Sequence, residues 1–181
     1  MVSLAKIILK TGGLLSLALS LILVNAPQVL AQESRNTKEL RAVNKSGSLL
    51  SLEGGEKLMK EAQREIDAQK YGSAAVKLKE ARQVFNQLSN FYLQLANSFA
   101  GIDPTIYERH RSNALKTGIM RDEATYQLAL IHRAQQQPEL SVPLLIQVIR
   151  SQNPTSELGK KSYQQLYELG FVDSPYQTSS K

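Results

Sequence analysis

Tyr92-Leu93-Gln94-Leu95-Ala96-Asn97-Ser98-Phe99 is the stretch on which the fold turns. On a helix, Tyr92, Leu95, Ala96 and Phe99 share one face, and the small alanine in that face lets a second helix come close. Upstream, Tyr71-x-x-Ala74-x-x-x-Leu78-x-x-Ala81 has a complementary form, with small residues around a bulky one at helical spacing. Working outward, Gly and Pro are confined to a few places. After Gly54-Gly55 they divide the chain into helix-sized pieces at about 56–70, 73–100, 104–117, 120–137, 139–151 and 155–169. Asp103-Pro104 is a cap followed by proline at the first helical position, and Gly170 follows the last piece as a C-terminal cap would. No alternating apolar run suggests a strand. The expected fold class is all-α.

Small residues recur at Ala62, Ala96 and Ala129, 34 and then 33 positions apart, and Leu precedes the last two. A repeat of this length carries the spacing of tetratricopeptide motifs. The third unit has Leu128-Ala129-x-x-His132, then Ser141-x-x-x-Leu145-x-x-Val148, followed by Pro154. On these residues the chain resembles the tetratricopeptide repeat family. The resemblance implies an array of about three helical hairpins over residues 56–154 and a closing helix over 155–169. The pattern is degenerate: Glu61 stands where the first unit should have Leu, Glu108 takes a small-residue place, and Pro138 and Pro143 interrupt the third unit. The stretches 81–100 and 121–157 also resemble a set of small exported tetratricopeptide-like proteins of cyanobacteria and plastids.

Residues 1–31 read as a signal peptide, with Lys6 and Lys10 ahead of an apolar run from Leu14 to Val24 and Val29-Leu30-Ala31 before Gln32. Retention as an anchor is the alternative, and it leaves membrane association open. Residues 32–51 are polar and lack a helical period, so a flexible linker is expected there, then a helical domain over 52–172 and a disordered tail over 173–181. The expected compartment is outside the cytoplasm, either a periplasm or a thylakoid lumen.

From Gln32 onward the chain carries 20 basic and 16 acidic residues, too mild an excess for a nucleic-acid partner to be expected. It has no cysteine, which excludes disulfides, thiolate metal sites and a cysteine nucleophile. His110 and His132 belong to no paired-histidine motif, and His132 falls where the repeat wants an aromatic, so both read as packed residues. Asp122-Glu123 reads as favourable charge at a helix start, and Gly54-Gly55 lacks the lysine and context of a phosphate loop. Neither a cofactor, a metal nor an enzymatic activity is expected.

A helical array offers a different surface, a concave face lined by its first helices that holds a peptide or partner helix. The family resemblance puts the partner-binding positions at Met59, Gln63 and Ile66, then Leu93 and Asn97, then Glu123, Tyr126, Leu130 and Arg133. Tyr126 lies about 200° around the helix from Leu128 and so should face solvent or a partner. Of the residues that clamp a C-terminal carboxylate in some family members only Asn97 is present, and Met59 replaces the first lysine. The expected function is an exported protein-binding scaffold or assembly factor, with a self-associating envelope or membrane-associated structural protein as the alternative, an enzyme with an unrecognised site third, and the oligomeric state left open.

Overall fold

The computed structural model describes residue 48 and residues 50–176. The expected leader, the linker up to residue 47 and the last five residues of the tail lie outside that range. Among the described residues the chain forms five helices and no strand: α1 (Leu52–Asp67), α2 (Tyr71–Phe99), α3 (Pro104–Ala134), α4 (Pro138–Gln152) and α5 (Glu157–Glu168). The all-α class is therefore as expected, but three of the expected breaks are not breaks.

Helix α1 starts before the glycine pair. Ser51 caps it, its Oγ accepting from the Gly54 amide at 2.9 Å, so Gly54 and Gly55 lie in the first turn. Glycine weakens a helix by about 0.5 to 1 kcal/mol relative to alanine. At residue 55 it serves packing, because a Cβ there would lie 2.4 Å from Cε1 of the fully buried Phe85.

Helix α3 runs unbroken through Gly118, where two helices were expected. A single glycine inside a helix costs only about 1 kcal/mol, and α3 is held along its length by α2. Ser89 of α2 lies across from Gly118 and donates to the Ala114 carbonyl at 3.0 Å. The two prolines do not interrupt α4 either. Pro138 occupies its first turn, where a missing N–H costs nothing, and the helix continues through Pro143.

Three helix ends share one turn. After α1, Gln69 takes a left-handed conformation (φ 57°), with Gln69 N–H donating to Ile66 and Lys70 N–H to Glu65. After α3 the same pair of bonds recurs at Gln136 (φ 58°), from Gln136 to Arg133 and from Gln137 to His132. After α5 it recurs at Gly170 (φ 76°), from Gly170 to Tyr167 and from Phe171 to Leu166. This is the Schellman pattern, which satisfies the last carbonyls of a helix. It is set here twice by glutamine and once by glycine.

Each helix packs on its neighbour in sequence. Leu58 of α1, Ala81, Val84, Phe85 and Leu88 of α2 and Ala124 of α3 form one apolar cluster. Ala62, Ala74, Ala75 and Leu78 meet Leu128 and Ile131 in a second. Ala129, Leu145 of α4 and Leu166 of α5 form the third. Glu61, which stands where leucine was expected, stays partly exposed and pairs with Lys77 at 3.4 Å.

The levels of these contacts show where the body ends. Gly55 sits beside Phe85, and the α4 terminus meets α3 at Asp122. Beyond those levels, residues 89–99 of α2 and 104–114 of α3 pair with each other as a projecting hairpin about 16 Å long at 1.5 Å per residue, with Tyr92 near its base still packed on the first cluster. Tyr92 stacks on His110 inside it (centroids 6.0 Å, 21° between planes), and Ala96 is buried. Asp103 closes its turn by accepting from the Thr105 and Ile106 amides. The expected middle unit is therefore not a separate hairpin set between two others: its two halves extend α2 and α3. At the other end, Tyr176, in the tail expected to be disordered, packs edge-on against Tyr163 (centroids 6.1 Å).

Candidate functional site

A groove of about 450 Å³ runs between α1 and the C-terminal half of α3. Gln63, Ile66 and Tyr71 line one wall, and Glu123, Tyr126, Gln127, Leu130, Ile131 and Ala134 line the other. Five of the nine partner-binding positions expected from the sequence meet here: Gln63, Ile66, Glu123, Tyr126 and Leu130. The spacing explains why. Residues 123, 126, 127, 130 and 134 recur at three- and four-residue steps on α3, and 63 and 66 do so on α1.

The other four positions lie elsewhere. Met59 is turned inward, partly buried between the first two apolar clusters. Leu93 is exposed on the projecting hairpin and lines a different hollow, with Leu115 and Ile119. Asn97 is exposed near the hairpin tip. Arg133 is engaged by α5, donating to Gln165 and pairing with Glu168 at 2.6 Å.

Tyr126 is only half solvent-facing. Its ring packs against the cluster of Ala129, Leu145 and Leu166, so the expectation that it faces solvent or a partner alone is corrected: the closing helix covers one edge. Burial raises the pKa of its phenol, Glu123 and Glu168 raise it further, and Arg133 opposes them. Hydrogen bonds from Arg133 and Gln164 lower the pKa of the exposed Glu168 carboxyl. Leu130 is partly exposed in the groove and belongs to none of the apolar clusters.

Asp122, expected at a helix start, instead lies in the middle of α3 and is fully buried. Its Oδ1 accepts from Arg121 Nε at 2.8 Å. Its Oδ2 accepts from an Arg121 Nη at 3.1 Å, from Ser151 Oγ at 2.6 Å and from Gln152 Nε2 at 2.6 Å. A buried carboxylate needs such saturation, since an unpaired one costs several kcal/mol. The misplaced break at Gly118 hid this residue from the sequence reading.

His132 is buried as expected, with Nδ1 2.9 Å from Gln137 Oε1. His110 is partly buried, and its Nδ1 finds no hydrogen-bond partner among the described residues. No group of three His, Cys, Asp or Glu side chains among the described residues is placed to hold a metal. No described helix is long and apolar enough to cross a membrane. Compared with known proteins, the chain matches no family model, no curated protein and no solved structure.

Proposed function

We propose that the chain is an exported protein-binding scaffold of tetratricopeptide-like architecture, whose groove between α1 and α3 takes an apolar-anchored segment of another protein. The observation that carries this reading is the convergence of Ile66, Tyr126 and Leu130 in one open groove with Gln63 and Glu123 at its rim. An apolar centre with a polar border is the composition of a protein-binding patch. Buried small residues at Ala62, Ala74, Ala81, Ala129 and Ser141, and the shared turn after α1, α3 and α5, support the repeat architecture.

The test is affinity capture from the native membrane fraction with the parent chain, Leu130→Asp and Leu115→Asp. A dominant heterologous partner held by the parent and by Leu115→Asp but lost with Leu130→Asp is the expected result. Loss of an apolar anchor costs at least about 1 to 2 kcal/mol, or roughly five- to thirtyfold in affinity. A partner retained by Leu130→Asp would overturn the groove assignment.

One observation favours self-association as a second reading. On α3, Leu115 (67% exposed) and Ile119 (46% exposed) continue the same helical face that α4 covers at Asp122 and Ala129. A concentration-dependent dimer abolished by Leu115→Asp would support it.

A further inference from the structure

A second cleft, of about 460 Å³, opens between α2 and α4, and its lining is almost entirely polar: Lys79, Arg82, Gln83 and Asn86 of α2, Arg121 of α3 and Gln147 of α4. None of these residues lines the α1–α3 groove. Three cations and three amides converge here, and no carboxylate lines the cleft. No salt-bridge partner is found for Lys79 or Arg82 among the described residues.

Both guanidinium groups are held in place by protein partners. Arg82 donates through one Nη to Gln147 Oε1 at 2.8 Å, which ties α2 to α4 across the cleft and leaves its other N–H groups uncommitted. Arg121 is fixed by the buried Asp122 and donates to Ser151 Oγ at 2.6 Å. A long cationic side chain left in solvent keeps its rotamer freedom, and ordering it costs free energy. A buried ion pair seldom recovers its desolvation cost as stability. What the Asp122 network does deliver is a guanidinium whose one remaining Nη is fixed in direction before any ligand arrives, and such preorganisation strengthens binding.

We propose that this cleft is a binding site for a phosphate-type oxyanion, with Arg82 as the binding fork, the free Nη of Arg121 as a second donor, Lys79 as a rim charge and Asp122 as the positioning residue for Arg121. The charge balance selects the class. Three cations and the one buried carboxylate leave an excess of two positive charges. That excess matches a phosphomonoester, which carries about 1.5 to 2 negative charges at neutral pH. The planar Arg82 fork suits its oxygens, and the amides of Gln83 and Asn86 can take a neighbouring hydroxyl. A soluble phosphomonoester and the headgroup of phosphatidic acid present the same chemistry.

The experiment uses two probes on the full chain. Glycerol 3-phosphate is titrated while the Arg82 and Arg121 Nε–H resonances are followed, with sodium chloride at matched ionic strength as the control. Flotation with phosphatidylcholine vesicles, with and without phosphatidic acid, is the second arm. The expected result is saturable shifts of both arginines with at least one probe. Arg82→Gln should weaken that binding about tenfold or more while the helical fold is retained in circular dichroism, and Lys60→Gln on α1 should leave it unchanged. Binding of glycerol 3-phosphate alone assigns the site to a soluble ligand, and binding only to phosphatidic acid vesicles assigns it to a lipid headgroup; either upholds the site. The proposal is overturned if neither probe binds, if sodium chloride produces the same shifts, or if Arg82→Gln binds as tightly as the parent.

Discussion

Gly55→Ala sets two effects of opposite sign against each other. Alanine is the better helix former, and in an exposed turn the exchange would stabilise the fold by about 0.5 to 1 kcal/mol. Residue 55 is buried, however, and its new methyl would stand 2.4 and 2.6 Å from Cε1 and Cζ of Phe85. Phe85 is fully buried among Leu58, Ala81, Leu88 and Ala124, so its ring yields only by shifting against those neighbours. Overpacking a tight core contact costs about 1 to 3 kcal/mol, so the loss outweighs the gain and a net destabilisation of about 1 to 2 kcal/mol is expected. For a domain of this size that is a fall of roughly 3 to 8 °C in melting temperature. Thermal and urea unfolding followed by circular dichroism measure it. A cycle with Phe85→Leu then isolates the contact: the single Phe85 variant loses packing, but in the double variant the methyl fills part of the vacated space. A coupling of at least about 1 kcal/mol is expected. A Gly55→Ala protein that melts higher than the parent, or two effects that simply add, would show that α1 and α2 do not approach as closely as described.

Three further outcomes are expected. Asp122→Ala should destabilise the fold by about 2 to 4 kcal/mol in urea unfolding, less than for a fully buried pair because Arg121 keeps access to water. The phenol of Tyr126 should titrate above the ordinary tyrosine range in an absorbance titration. Because its folded-state pKa is raised, the stability it contributes is complete below about pH 10 and is lost as the pH rises through the folded value; Glu168→Gln should move that titration back toward the ordinary range. Ala96→Leu should lower the melting temperature and speed amide exchange in the projecting hairpin, while Ala68→Leu, at an exposed helix end, should do neither.

Residues that bury small or apolar side chains at fixed helical spacing were legible in the sequence. Ala62, Ala74, Leu78, Ala81, Ala129, Leu145 and Val148 are all buried, and the same spacing gave the all-α class. The glycine signals misled at two places because their cost is local and small, whereas the packing that overrides it comes from residues distant in sequence. Gly118 faces Ser89, and Gly55 faces Phe85. One misplaced break then carried further: with a helix start assumed near Met120, Asp122 looked like a terminal charge. Leu93 and Asn97 were assigned to the partner face on a middle unit that the structure turns into a projection. Ile66, Tyr126 and Leu130, which depend only on the first and third units, do share a groove. Nothing in the sequence pointed to the α2–α4 cleft, since its cations come from two helices and match no motif.

The order in which the helices touch also governs how the chain assembles and comes apart. Because every main contact joins helices adjacent in sequence, no stage has to close a long loop, and chains of this kind fold quickly. The turn at Ala100–Asp103 starts a zipper: α2 and α3 can pair from that end downward before α1 or α4 has docked. The remaining helices then add outward on either side, and loss of order runs the other way, from the termini inward. Helix α5, held by α4 and by one edge of α3, is expected to release at lower cost than the central pair of α2 and α3. Its release would unpair Arg133 and uncover the edge of Tyr126, so fraying at the C-terminus reaches the groove without disturbing the centre of the array.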